Sequence, residues 1–163
     1  MTQALRKNGD LIALTGYAAG DKGLRPWGWY EVLGVGMEDQ EEFCEKKIGI
    51  RPHQSLSLQR HHGRREIWRV EEGELTVILD GNLHTLRRDE TIMIPLKAPH
   101  CMMNLTDEPL IVYEKQIGIC REEDNDRLYD MNGRETLEIA ADDHKALESV
   151  ELYKKAIATF EAA

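Results

Sequence analysis

From about Lys46 to Gly118 the chain runs as short blocks in which apolar residues recur at every second position or in brief clusters. The blocks are KKIGI, SLSLQ, EIWRV, LTVIL, TIMIP, CMMNL and LIVYEKQIG. A two-residue period sends alternate side chains to opposite faces of an extended chain, so these blocks predict strands with one face toward a core. Turn chemistry separates them at short intervals. EEGE, PLKAP and TDEP supply breaks, and Asp80-Gly81 is a pair that favours a tight type I′ hairpin. Many short strands at this rhythm predict a β-sandwich or barrel.

The flanks read differently. Residues 1–30 are rich in Gly and mixed polar residues and end in RPWGWY, which predicts an irregular arm fastened to the core by Trp27, Trp29 and Tyr30. Residues 31–134 would then form the barrel and 135–163 a helical extension. After Gly118 the acidic segment REEDNDRLYDMNGR leads to a helix expected over Asp143 to Phe160. There Leu147, Val150, Tyr153, Ile157 and Phe160 recur at spacings of three or four, with Asp142 or Asp143 available as N-cap. Such a stripe covers either the chain's own sheet or a dimer partner. With 163 residues, 41% of them hydrophobic, the chain has enough core for one domain.

Charge narrows the partners. A formal net charge of −9 has the wrong sign for duplex nucleic acid or an anionic membrane surface. A local arginine cluster can still dominate the field inside a cleft, so a small anionic substrate stays open. Cys44, Cys101 and Cys120 are an odd set without zinc-ribbon spacing, which fits a reducing compartment and makes cytoplasm the expected location. The N-terminal stretch lacks the apolar segment of a signal peptide, and no run approaches the ~20 apolar residues of a membrane span.

Candidate chemistry concentrates in SLSLQRHHGRREIWRVEEGEL, residues 55–75. Gln59 and His61, two apart on a strand, share a face. Glu66 lies at an odd offset from His61, and Gly63 between them offers a place for the chain to bend. His100 follows the run TIMIP, and Asn104 follows His100 by four residues. Gln59, His61, Glu66 and His100 converge if the strands fold back as a barrel. A mixed nitrogen and oxygen set of this kind suits a divalent ion, zinc first, with manganese, cobalt, nickel or iron as alternatives, leaving positions open for substrate oxygens. On spacing alone, the plain polar surface of half-exposed strands is the commoner account.

Four stretches carry a family resemblance. RPWGWYEVL, SLSLQRHHGRREIW, IPLKAPHCMMN and EKQIGICREEDNDRLYDMNGR resemble, in order over residues 25–134, the cupin domain of type II phosphomannose isomerases. That domain is also the C-terminal domain of bifunctional mannose-1-phosphate guanylyltransferases. The resemblance implies an all-β cupin fold, a double-stranded β-helix or jelly-roll barrel. The isomerase motif QxHHHRxEHW is matched by Gln59, His61, His62, Arg64, Glu66 and Trp68, whereas Gly63 and Ile67 stand where the family has histidines. It further implies that Arg64, Arg127 and Arg134 serve the substrate.

The implied reaction is the interconversion of an aldose and a ketose phosphate, most simply mannose 6-phosphate and fructose 6-phosphate. A divalent ion would polarise the carbonyl, and arginine forks with Lys97 would hold the phosphate dianion. As the base the sequence offers Glu66 and His62, with Lys97, Asp124 and Asp126 behind them, and Arg64 is a further catalytic candidate. The alternatives are a non-catalytic cupin that binds a sugar phosphate or nucleotide sugar, and an isomerase or epimerase acting on another sugar. Guanylyltransferase activity is not expected, because the N-terminal arm is too short for a nucleotide-binding domain and lacks a Gly-rich phosphate loop. A homodimer is expected.

Overall fold

The computed structural model describes residues 16–161, so residues 1–15 of the expected arm lie outside the described residues. The strands in chain order are β1 (Lys22–Arg25), β2 (Gly28–Glu38), β3 (Glu41–Ile50), β4 (Gln54–Ser55), β5 (Leu58–Arg60) and β6 (Arg64–Glu72). They continue as β7 (Leu75–Leu79), β8 (Asn82–Leu86), β9 (Thr91–Ile94), β10 (His100–Asn104), β11 (Leu110–Gly118) and β12 (Asp126–Tyr129). One helix, α1 (His144–Glu161), follows. A first sheet has the order β1-β2-β3-β11-β6-β9, and a second the order β12-β5-β10-β7-β8 with β4 also on β10. Two facing sheets with neighbours this distant in sequence make the jelly-roll barrel that the strand rhythm predicts.

Every expected strand block is present, and the structure adds four strands. Residues 22–38 are not irregular: β1 and β2 pair as an antiparallel hairpin, and β2 runs the length of β3 from Gly28↔Ile50 to Glu38↔Glu41. The physical reason is burial on one face, with Val32 fully covered and Trp27 seated in the core between the sheets. Gly28 has φ +156, and a Cβ there would lie 1.9 Å from the Gly49 carbonyl oxygen, so the strands approach this closely only because the residue is glycine. The other additions are β8 and β12, the latter inside the acidic segment, where Leu128 is buried. Asp80 and Gly81 both take positive φ between Leu79 and Asn82, as the hairpin signal requires. SLSLQ, by contrast, is interrupted into β4 and β5, each against β10.

The helix begins where the capping residue places it. Asp143 Oδ1 accepts the Ala146 N–H at 3.2 Å, and its other oxygen accepts from Arg60 at 2.5 Å. Ala146, Val150, Tyr153 and Ala156 cover Leu58, Ile78, Cys101, Met103 and Leu128 on the outer face of the second sheet. Val150 and Tyr153 are buried as expected, whereas Ala146 and Ala156 turn inward and Leu147 is 38% exposed. Tyr153 fixes the helix by donating to the Leu56 carbonyl at 3.0 Å and accepting the Met131 N–H at 3.2 Å. Among the described residues no helix is long and apolar enough to cross a membrane.

Between the sheets the side chains divide by chemistry. Ile48, Ile50, Trp68, Val70, Leu75, Val77, Met102, Leu110 and Val112 form one continuous apolar cluster. One inward position farther along the same strands stand Lys46, Glu66, His100 and Glu114, all buried.

Candidate functional site

The histidines and the carboxylate reach one point from different sheets. Gln59 on β5 lies directly opposite His100 on β10, and His61 follows β5 on the same face as Gln59. The chain then turns at residues 61–63 and enters the first sheet as β6, where Arg64, Glu66 and Trp68 point inward. His61 and Glu66 thus face each other across the barrel, and their odd spacing is no obstacle. Asp124 holds the turn: its carboxylate accepts the N–H groups of His62 at 2.9 Å and Gly63 at 2.8 Å. Burial works against that charge, but the two N–H bonds hold Asp124 below its ordinary range.

His61 Nδ1 lies 2.6 Å from the Asp124 carbonyl and His100 Nδ1 2.8 Å from that of Ala98. A carbonyl only accepts, so both Nδ1 atoms carry the proton and both Nε2 atoms present a lone pair. These lone pairs point at one carboxylate oxygen, with Glu66 Oε1 3.5 Å from His61 Nε2 and 3.3 Å from His100 Nε2. All three side chains are at most 2% exposed. His100 Nε2 has no hydrogen-bond partner, while Arg64 Nη2 donates to His61 Nε2 at 3.2 Å. Burial opposes the Glu66 charge, yet when the imidazoles carry a second proton, at Nε2, His61 and His100 donate to it and with Arg64 hold it well below its ordinary range. Burial likewise pushes His61 down, toward the neutral form a ligand needs.

Two buried lone pairs aimed at a carboxylate form an acceptor-rich cluster that a cation satisfies. The candidate ligand atoms lie within 4.8 Å of one another, and each imidazole is steered from behind by a backbone carbonyl, as metal-binding histidines are. The donor set therefore fits a divalent ion, with Gln59 on the adjoining wall. Gly63 and Ile67 do not remove ligands from this cluster. A Cβ at Gly63 would meet Ile119 Cβ at 3.1 Å and Asp124 Oδ2 at 3.2 Å, and Ile67 alternates away from Glu66 to the other face of β6.

A cleft opens beside the cluster. Its wall includes Gln59, Arg64 and Glu66, and Arg127 and Arg134 also line it. Arg127 Nη1 donates to the Glu135 carbonyl at 3.2 Å, and Arg134 Nε to Asp130 at 2.6 Å. Burial, and then the neighbouring Arg134 charge, pushes Arg127 down from its ordinary value. His62 and Lys97 are outside this wall: His62 is exposed and bonded to Asp126 at 2.6 Å, and Lys97 is exposed in the turn before His100. Asn104, buried at the other end of β10, braces a loop by donating to the Ile50 and Glu108 carbonyls.

The cleft also holds groups that the spacing of histidines did not reveal. Lys46 on β3 and Glu114 on β11 are directly opposite across the ladder, both inward and both lining the cleft with Gln116. Glu114 Oε1 accepts from Gln116 Nε2 at 2.6 Å. Burial, reinforced by the Glu66 charge, raises Glu114 to about 7 against the pull of Lys46 and Arg64. For Lys46, burial is outweighed by Glu114 and Tyr17, which hold its charge on; its Nζ sits 3.9 Å over the Tyr17 ring. The signal was present in KKIGI and VYEKQ, where strand alternation sends Lys46, Glu114 and Gln116 to the same side as Ile48 and Val112.

Comparison with known proteins agrees with the fold. Residues 16–130 match the family model described as mannose-6-phosphate isomerase C-terminal. The chain is 39% identical over 101 residues to the mannose-1-phosphate guanylyltransferase of Escherichia coli (strain K12), a match covering 62% of this chain and 20% of that protein. It is 36% identical over 111 residues to the alginate biosynthesis protein AlgA of Pseudomonas aeruginosa, covering 68% and 22% respectively. The chain thus spans about a fifth of the length of these curated relatives. Among solved structures, the Lactobacillus farciminis oxalate decarboxylase formate complex aligns with a TM-score of 0.54 at 18% identity, over 66% of this chain and 33% of that one. An RmlC-like cupin from Shewanella frigidimarina aligns with a TM-score of 0.49 at 20% identity, over 64% and 82%. Both likenesses concern the barrel alone. Fold, motif order and family match converge, and the chain belongs to the mannose-6-phosphate isomerase C-terminal family of cupin-type domains.

Proposed function

We propose that this domain is a metal-dependent aldose-ketose isomerase of sugar phosphates, with mannose 6-phosphate and fructose 6-phosphate as its pair. The observation that carries the reading is the convergence of His61 Nε2, His100 Nε2 and Glu66 Oε1 beside a cleft that Arg64, Arg127 and Arg134 line. Gln59, His61, Glu66 and His100 would hold the ion, zinc first among the candidates. When bound, it supplies Lewis acidity toward the carbonyl and hydroxyl oxygens of the open-chain sugar.

The chain's own residues supply the rest. Arg127 and Arg134 present planar, permanently charged donors suited to a phosphate dianion, and Arg127 Nε is buried without a partner. Arg64, buried and bonded to the Arg121 carbonyl at 2.8 Å, sets positive charge beside Glu66 and stabilises negative charge developing on sugar oxygens. Asp124 keeps His61 aimed by fixing the turn and by accepting, at its main-chain carbonyl, a hydrogen bond from the His61 Nδ1–H. His62 and Lys97, outside the cleft wall, take no part in this reading.

The test is a coupled assay for fructose 6-phosphate formed from mannose 6-phosphate, on protein stripped of metal and reloaded separately with zinc, manganese, cobalt and nickel. Turnover that depends on one of these ions is expected. A folded, metal-loaded protein without turnover would overturn the reading in favour of a module that only binds sugar phosphates.

A further inference from the structure

Isomerisation of this kind needs a base that takes a proton from one carbon and returns it to the next. Glu66 is poorly placed to be that base, because both Nε2 lone pairs of the metal cluster converge on it. Glu122, another carboxylate lining the cleft, lies at its solvent side with a 67% exposed side chain, 3.6 Å from Arg25. Glu114 differs from both. It is buried, lines the same cleft as Glu66 and Arg64, and sits on β11 directly between Lys46 of β3 and Trp68 of β6. Gln116, opposite Glu66 in the ladder, fixes one of its oxygens and leaves Oε2 outside that bond.

We propose that Glu114 is the general base that carries the migrating proton, and that Lys46 is its positioning residue. The inference rests on the isomerase reading above. The Glu114 carboxylate takes the C2 proton of the open-chain aldose, leaving a cis-enediolate and a neutral carboxyl group. The hydroxyl proton on O2 passes to O1 within the enediolate. Glu114 then returns its proton to C1, the C2–O2 bond becomes the ketone, and the carboxylate is regenerated. Protons balance without an outside donor. Charged and titratable groups bear on Glu114 from three sides: Lys46 from β3, Glu66 and Arg64 from β6, and Tyr17 from the segment before β1, through its contact with Lys46. In the metal-free protein their sum, with burial, raises Glu114 to about 7.

The experiment is mannose 6-phosphate and fructose 6-phosphate turnover in deuterium oxide by the metal-loaded protein, with deuterium at C1 and C2 followed by NMR. E114Q should lose turnover and carbon-bound exchange together, by about 10²–10⁴-fold, with metal content and KM close to wild type. K46M should shift the acid limb of the kcat profile to higher pH, because removing the facing positive charge makes Glu114 a stronger base. Infrared titration of the metal-free protein gives a second readout: a carboxylic-acid band that titrates near neutrality in wild type and is missing in E114Q. Wild-type exchange that survives in folded E114Q overturns the role of Glu114 and leaves the isomerase reading standing. A wild type that neither turns over nor exchanges defeats the isomerase reading itself. An unmoved pH limb in K46M removes Lys46 from the proposal.

Discussion

The two ends of the barrel interior are built by the same strands and differ by one inward step. Reading from the apolar end, β3 changes from Ile48 to Lys46, β11 from Val112 to Glu114, β6 from Trp68 to Glu66 and β10 from Met102 to His100. Side-chain period alone fixes which residues enter the barrel; it is indifferent to whether they are apolar. The apolar end contributes transfer free energy at roughly 25 cal/mol per Å² buried, and the polar end contributes little or opposes folding. The contrast shows a division of labour: packing at one end holds the backbone rigid enough to keep desolvated ionisable groups aligned at the other. Trp68 marks the border, its ring edge-on to His100 at 5.6 Å.

Moving the border should have the largest effect. Val112→Asp puts a carboxylate one step inside the apolar end, where nothing pairs with it, and should destabilise the fold by about 4 kcal/mol or more. A denaturant midpoint close to wild type would show that the ends are less distinct than their side chains imply. Next, His61→Ala and His100→Ala should each cost metal affinity by more than the ~10–100-fold typical of outer-shell partners, with the melting transition still cooperative. Full metal stoichiometry in both variants would remove the cluster from the polar end.

Acid-base titration sharpens the comparison further. Glu66 has a depressed folded value, so its contribution to stability is present above its ordinary 4.5 and is lost as pH falls through the folded value. Glu114 has the opposite sign. Its value is raised from 4.5 to about 7, so the folded state binds its proton more tightly than the unfolded chain, and stability is lost as pH rises between them. Metal-free E114Q should therefore gain roughly 1–3 kcal/mol over wild type above about pH 8, with the gain vanishing below pH 4.5. A difference independent of pH would contradict the raised value. The smallest effect belongs to Ile67→His. Because Ile67 faces away from Glu66, restoring the family's histidine there should leave metal affinity within about twofold, read by competition with a chelator.

Much of the fold was legible, and the misses have physical causes. The blocks from KKIGI to LIVYEKQIG, the Asp80-Gly81 hairpin and the Asp143 cap all depend on local periodicity or local hydrogen bonding, which a sequence displays. The Gly-rich run GWYEVLGVGME concealed β2 because glycine weakens the strand signal, although its ladder with β3 is one of the longest in the barrel. Asp126–Tyr129 read as solvated charge, since a single buried side chain, Leu128, is all that betrays the strand. At the site, Gln59, His61, Glu66 and His100 were identifiable from residue type and motif. Lys46 and Glu114 were passed over because each sits beside a charged outward residue, Lys47 and Lys115; alternation with Ile48 and Val112 marks them as inward, and the ladder register adds that they face each other.

Local sequence sufficed for the strand rhythm, the helix start and the identity of the candidate ligand side chains, because these follow from spacing and chemistry along a short stretch of chain. The tertiary structure alone decided that His61 and Glu66 face one another from two sheets, that Gly63 and Ile67 are not lost ligands, and that His62 and Lys97 stand outside the cleft. It alone brought Glu114 against Lys46. Those outcomes depend on which strands become neighbours, and pairing between residues some seventy positions apart is a property of the closed barrel that no local pattern encodes.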